Sequence, residues 1–283
     1  MAAEARSEAA PAKVNLYLHI CGQRADGYHL LDSLAVFPPI GDRVWAEPGP
    51  GLSLSMAGPF GDTLPIDADN LVLRAASELA RANGFRAGAA LRLDKNLPVA
   101  SGIGGGSSDA AATLRVLSKI WEIEIPSDIA PALGADVPVC MRPGAQFMGG
   151  IGDVLRPAPP LPPAWIVLVN PIRTVPTGQV FAGLINKDNP SATPAPQLRE
   201  FNDLIGWLKT QRNDLQPPAI ALCPEIQTVL DALATAPLAR MSGSGATCFA
   251  LHRSQAEADE MAEAIRADQP DWWVASAPLQ APN

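Results

Sequence analysis

The chain has 283 residues, 47% of them apolar and 18% charged, with 29 prolines and a formal net charge of −8. That length suits one large domain or two modest ones with a sizeable core. The negative balance argues against non-specific binding to nucleic acid or an anionic membrane. Cys21, Cys140, Cys223 and Cys248 are scattered, with no Cys-x-x-Cys pair, and read as reduced thiols of a cytoplasmic protein. No apolar run approaches the roughly 20 residues of a membrane helix, and the N-terminus, with Glu4 and Glu8, lacks an apolar signal core.

Residues 1–11 read as a frayed tail. The stretch Ala12 to Ile20 alternates as a strand and puts Lys13, Asn15, Tyr17 and His19 on one face. Such a face is either solvated or lines a site, and spacing alone favours the solvated reading. Asp26-Gly27 signals a turn. Tyr28 and His29 after it are surface residues or a stacking, hydrogen-bonding grip on a flat ring. Arg43–Glu47 and Leu52–Met56, separated by Pro-Gly-Pro-Gly, suggest an antiparallel hairpin. A helix is expected from Asn70 to Asn83, with Val72, Ala75, Ala76, Leu79 and Ala80 on its apolar face, Asn70 as N-cap or ligand contact, and Gly84 just past its end.

Ala90–Lys95 reads as a strand leading into Leu97-Pro98-Val99-Ala100-Ser101-Gly102-Ile103-Gly104-Gly105-Gly106-Ser107-Ser108. Four glycines in five positions allow positive φ and close approach of a ligand to the backbone. Ser107 and Ser108 mark the start of a helix running from about Ser108 to Lys119, whose free N–H groups and dipole favour an anion. A phosphate cradle is the reading this density of signals supports over a bare turn. No Gly-Lys-Ser/Thr follows, so it is not a Walker loop, and Ser107 stands where a dinucleotide fingerprint needs its last glycine.

Ser127–Leu133 is a short helical piece, and Asp136 follows it as a turn residue or a site group. Gly149–Asp153 is a turn, and the proline-dense Arg156–Pro163 reads as an interdomain crossover. Trp165–Val169 is an apolar strand; Thr177–Ile185 a helix capped by Thr177; Asn186–Ala195 a loop. Helices follow near Leu204–Thr210 and Pro224–Ala234. Arg240–Ala246 leads into the strand Thr247–Leu251, then come a helix over Ser254–Ala267 and a strand at Trp272–Val274. This order suggests a split αβ sandwich of the ferredoxin-like kind. Ser242–Gly245 is either a plain turn or a second wall of small residues against a ligand.

Taken together, Ala12-Lys13-Val14-Asn15, Leu97-Pro98 with Gly102–Ser108, and Met241-Ser242-Gly243-Ser244-Gly245 resemble the three motifs of the GHMP kinase superfamily. Gln23–His29 and Gly134-Ala135-Asp136-Val137-Pro138 resemble the branch whose acceptor is a cytidine diphosphate-linked methylerythritol. The resemblance runs from about Pro11 to the last strand.

It implies an α+β, two-domain GHMP kinase fold. Residues 1–156 would form an N-terminal ribosomal-protein-like α/β domain for ATP binding and catalysis, and 157–283 a C-terminal ferredoxin-like αβ domain on the substrate side. It implies a cytoplasmic kinase that moves the γ-phosphoryl group of ATP, with Mg2+, to the acceptor's 2-hydroxyl in isoprenoid precursor synthesis. Asp136 matches the catalytic aspartate and Lys13 its partner. Pro98, Gly102, Gly104, Gly105, Gly106, Ser107 and Ser108 match the phosphate loop, and Lys95 and Asn70 the nucleotide side. Tyr28 and Phe181 would sandwich the cytosine, with His29 on its polar edge; Asn15, Thr177 and Gly243 would face the acceptor. Asp109 stands where some relatives have Asn and reads as a helix cap. Two departures are a short Ile120–Leu133 stretch and an irregular Gln216-Pro217-Pro218 after Asn213-Asp214. The rival readings are a mevalonate or homoserine type of kinase, for which a base clamp has no purpose, and a non-enzymatic binding module.

Overall fold

The computed structural model describes residues 5–280 except 64, 68 and 87. Its chain divides into two compact units, and the division is not a single cut. Unit 1 comprises residues 1–12, 41–99 and 104–143; unit 2 comprises 13–40, 100–103 and 144–283. This differs from the division at 156/157 expected from the prolines. The reason is pairing: β3 (His29–Val36) pairs with Gln146–Met148, after residue 143 in the chain, and β2 (Val14–Gln23) pairs with β3, so both group with the later segment.

In unit 1 a four-stranded sheet has the order β1-β4-β6-β5, formed by β1 (Arg6–Pro11), β4 (Gly41–Pro48), β5 (Leu52–Ala57) and β6 (Ala89–Asp94). The expected frayed tail is therefore an ordered strand over its described part. Arg6–Pro11 pairs antiparallel with β4, and Glu8 is tied to Arg115 and Lys119. The expected β4–β5 hairpin is also absent. β6 lies between the two, antiparallel to β4 and parallel to β5. Pro48-Gly49-Pro50-Gly51 is a crossing loop, with Gly49 N donating to Gly88 O at the entrance of β6. A parallel pair needs a crossover, and α1 (Leu71–Ala82) supplies it, burying the five apolar residues read from its spacing.

The helix after the glycine loop, α2 (Gly105–Trp121), starts three residues earlier than Ser108. Gly104, left-handed at φ 63°, turns the chain so that Gly105 and Gly106 enter the helix despite their poor propensity. Two short helices, α3 (Ile129–Leu133) and α4 (Val137–Cys140), complete unit 1.

Unit 2 contains an antiparallel sheet, β2-β3-β7-β8, with β7 (Gln146–Gly149) and β8 (Val154–Pro157) joined by the expected glycine turn. Its other sheet has the order β10-β11-β9-β12, from β9 (Trp165–Asn170), β10 (Leu238–Met241), β11 (Cys248–His252) and β12 (Trp273–Pro278). All neighbours are antiparallel, which is the ferredoxin-like arrangement. The helices are α5 (Thr177–Ala182), α6 (Phe201–Lys209), α7 (Gln216–Leu222), α8 (Glu225–Ala232) and α9 (Gln255–Asp268). The irregular Gln216-Pro217-Pro218 is the first turn of α7, where proline's missing N–H costs nothing. Ile20, Val167, Val169, Ile226, Val229, Cys248 and Ala250 are among the fully buried residues of this core.

The N-cap of α9 is Ser254, whose hydroxyl accepts from Glu257 N. Ser254→Ala is expected to cost about 1 kcal/mol, read as a lowered urea midpoint with unchanged slope. The N-cap of α5 is Pro176 rather than the expected Thr177, whose hydroxyl instead lies 2.9 Å from Ser244 Oγ.

Candidate active site

In unit 1 the first turn of α2 carries no side-chain cap. Ser108 N is already bonded to Gly104 O, so the N–H groups of Gly105, Gly106 and Ser107 precede the helical ladder. A 17-residue helix with glycine at both opening positions presents those amides and its dipole to an anion. Ser107 is half-buried and Gly106 exposed. Ser108 is fully buried, and its hydroxyl donates to Pro11 O at 2.7 Å. Pro98 is buried. Asn70 caps α1, accepting from Val72 N at 3.0 Å while its amide donates to Pro65 O at 3.2 Å.

Lys95 is 2% exposed. Its Nζ donates to Asp42 Oδ2 at 2.5 Å and to Asp109 Oδ2 at 2.7 Å. Asp109 is therefore not a cap: it lies in the second turn of α2, buried, with Oδ1 unpartnered. Burial pushes its carboxyl up to about 8, against the opposing pull of Lys95 and with the Asp42 charge adding to the rise. The folded chain therefore holds this proton more tightly than the unfolded chain. The stability it contributes is present at low pH and is lost as pH rises towards about 8. Wild type should lose melting temperature relative to Asp109→Asn between about pH 4 and pH 8, a comparison that thermal melts at both ends of the range will check.

Asp136 is half-buried at the N-cap position of α4. In unit 2, Lys13 is 5% exposed, and its backbone N–H donates to Ile103 O at 2.9 Å. The expected solvated face of β2 is in fact buried: Asn15, Tyr17 and His19 are each 2% exposed or less. Register breaks at Asn15/Tyr17 and Ile20/Gly22 disrupt simple alternation, and Leu18 bridges to Asn213. Asn15 Nδ2 donates to Ser33 Oγ at 2.8 Å, Asn15 N donates to Ser242 Oγ at 3.1 Å, and Asn15 Oδ1 is buried without a partner.

Gly102 and the turn Ser242–Gly245 meet backbone to backbone. A Cβ on Gly102 would lie 2.7 Å from Gly245 N, and one on Gly243 would lie 2.7 Å from Gly102 O. Both glycines have positive φ, 74° and 54°. Thr247 N donates to Ser101 O at 3.1 Å, fastening the same segment. Ser242–Gly245 is thus a wall of small residues, and what it touches is the loop itself.

Tyr28 is 60% exposed. The His29 ring packs on Phe181 with centroids 5.0 Å apart and planes at 30°. Burial and the nearby Lys187 lower the His29 pKa, keeping the imidazole neutral, and its Nε2 is buried without a partner. Thr177 is exposed at the start of α5. The structure therefore brings together His29 with Phe181, Gly102 with Gly243, and Lys95 with the helix of Ser107 and Ser108. Sequence reasoning missed Asp42 and Ser33, which hold Lys95 and Asn15, and missed the bond by which Ser242, read only as part of the small-residue wall, holds Asn15. Their partners lie 53, 18 and 227 residues away in the chain, beyond any local pattern.

Comparison with known proteins agrees with this architecture. The GHMP kinases N terminal domain profile matches residues 70–155, and the GHMP kinases C terminal profile matches 191–271. A 4-diphosphocytidyl-2-C-methyl-D-erythritol kinase of Cereibacter sphaeroides is 54% identical over 282 residues, covering 95% of this chain and 97% of the relative. A crystal structure of 4-(cytidine 5'-diphospho)-2C-methyl-D-erythritol kinase aligns with TM-score 0.80 and 32% identity, covering 98% of this chain and 100% of that one. The L. major mevalonate kinase shares the fold at TM-score 0.70 and 18% identity, over 98% of this chain and 97% of its own. The chain belongs to the GHMP kinases and, within them, to the 4-diphosphocytidyl-2-C-methyl-D-erythritol kinase family.

Proposed function

We propose that the chain transfers the γ-phosphoryl group of ATP to the 2-hydroxyl of 4-diphosphocytidyl-2-C-methyl-D-erythritol, serving isoprenoid precursor synthesis in the cytoplasm. The observation that carries this reading is the near full-length 54% identity to a kinase of that name. The uncapped, glycine-lined start of α2 supports it, because that geometry suits nucleotide phosphates.

In the proposed reaction the acceptor oxygen attacks the γ-phosphorus, the bond to the β-phosphate oxygen breaks, and ADP leaves. Asp136 takes the hydroxyl proton, a contribution typically worth roughly 10²–10⁴-fold. Lys13 counters charge developing on the phosphoryl oxygens. The amides of Gly104, Gly105, Gly106 and Ser107 hold the phosphates, while Gly102, Pro98 and Ser108 fix the loop. Asn70 and Lys95 shape the nucleotide side from within the protein. Asn15, through its unpartnered Oδ1, Thr177 and Gly243 face the acceptor. Magnesium is expected with the nucleotide. Among the described residues no three His, Cys, Asp or Glu gather to cage an ion.

Tyr28, His29 and Phe181 grip the cytosine, Tyr28 closing over a ring that His29 meets with its free nitrogen. Base–aromatic stacking is worth about 1–3 kcal/mol. Tyr28→Ala should therefore raise KM for the cytidine acceptor by roughly 5- to 150-fold and leave KM for ATP within about twofold. Equal weakening of both would place the clamp in the wrong pocket. Coupled ADP-release assays with diphosphocytidyl-methylerythritol, mevalonate and homoserine test the whole reading. Turnover confined to the cytidine compound supports it; turnover with either other acceptor replaces it by the rival kinase, and nucleotide binding without turnover on any of them favours a binding module.

A further inference from the structure

The glycine loop has two stems, both in unit 1. Asn96 and Leu97 lead into it, and α2 leads out. One buried ion network touches both. Asp42 Oδ1 accepts from Asn96 N at 2.5 Å and from Leu97 N at 2.8 Å. Asp42 Oδ2 accepts from Lys95 Nζ, and the same Nζ reaches Asp109 in α2. The side chains of Asp42, Lys95 and Asp109 are each 3% exposed or less. Gly105 sits directly over the network: a Cβ there would lie 3.1 Å from Lys95 Nζ.

Burying three ionisable groups is costly, and a core of apolar residues is often as stable. Stability alone therefore does not explain the network. Its distinctive property is geometric, since it joins the residue before the loop to the helix after it.

We propose that Asp42 and Asp109 are positioning residues for the nucleotide: through Lys95 they clamp the two stems of the glycine loop and hold the first-turn amides of α2 in the arrangement the phosphates need. This rests on the kinase reading of that loop. The raised carboxyl of Asp109 fits the role, because in its neutral form it adds no negative charge beneath the phosphates.

The clamp makes a demand that differs between two replacements of one residue. Asp109→Asn keeps a neutral acceptor for Lys95, whereas Asp109→Ala cuts the tie. Calorimetric titration with ATP in magnesium chloride, and separately with cytidine 5′-diphosphate, reads the consequence. Asp109→Ala should weaken ATP at least 10-fold and cytidine diphosphate less than twofold; Asp109→Asn should restore ATP affinity to within threefold of wild type. Asp42→Asn, which unbalances the other end, should behave as Asp109→Ala and decides the matter if the alanine variant fails to fold. A folded Asp109→Ala or Asp42→Asn that binds ATP within threefold of wild type overturns the clamp, as does equal loss of both ligands. Wild type that fails to bind ATP overturns the kinase reading and the clamp with it.

Discussion

Asp136→Asn is expected to lower kcat by at least 10²-fold while leaving the dissociation constants of ATP and the cytidine acceptor within a few-fold. The amide matches the carboxylate in size and cannot take a proton. Loss therefore falls on the step in which the acceptor hydroxyl is deprotonated, not on binding. Phosphoryl transfer depends chiefly on positioning and charge stabilisation, so residual turnover reports what the loop and Lys13 supply without a base. Single-turnover rates against calorimetric affinities separate the two. Turnover near the wild-type rate would remove Asp136 from the mechanism.

Gly102→Ala carries the largest expected effect on stability. Its φ of 74° costs an L side chain about 1–2 kcal/mol, and the added methyl would meet the Gly245 backbone well inside normal contact. The backbone there has little freedom to yield. Ser101 O accepts from Thr247 N, Gly102 O accepts from Ser242 Oγ, and Ile103 O accepts from Lys13 N. A total loss of about 3 kcal/mol or more is expected, a drop in melting temperature of roughly 5–10 °C. Gly106→Ala is the contrast. Its methyl would meet only Leu71 Cδ1 at 3.3 Å, on a helix where alanine is favoured over glycine, so stability should stay within about 1 kcal/mol. If Gly102→Ala melts like wild type, the backbone contact with Gly245 is not close.

Much of the fold was legible where one element's pattern is self-contained. The apolar face of α1, the cap Asn70 and the glycine turn before β8 follow from local periodicity and turn chemistry. The alternation of strands and helices after residue 165 points to the ferredoxin-like class without identifying Leu238–Met241 as a strand. What was not legible depends on distant partners. Arg6–Pro11 looks like a tail until β4 pairs with it, and Leu52–Ala57 looks like half a hairpin until β6 intervenes. The candidate site divides the same way. The glycine loop announces itself by composition. Asp42 is an ordinary strand aspartate until Lys95, 53 residues on, is seen to need it. Likewise Ser242 contacts Asn15 across 227 residues. Asp109 reads as a cap because a second carboxylate beside phosphates would repel them, but α2 begins at Gly105 and places Asp109 in its second turn, where Lys95 holds it.

The interleaving of the two units has a consequence for how the chain leaves the ribosome. β2 and β3 emerge early and pair with each other, but β3 waits for Phe147 and Met148 on its far side, and Leu18 waits for Arg212 and Asp214. At typical elongation rates that delay is on the order of ten seconds. During it the nascent hairpin carries unpaired strand edges and the apolar side chains of Leu18 and Ile20 in water. Nascent-chain crosslinking should therefore find ribosome-associated chaperones on residues 14–36 until about residue 214 has emerged.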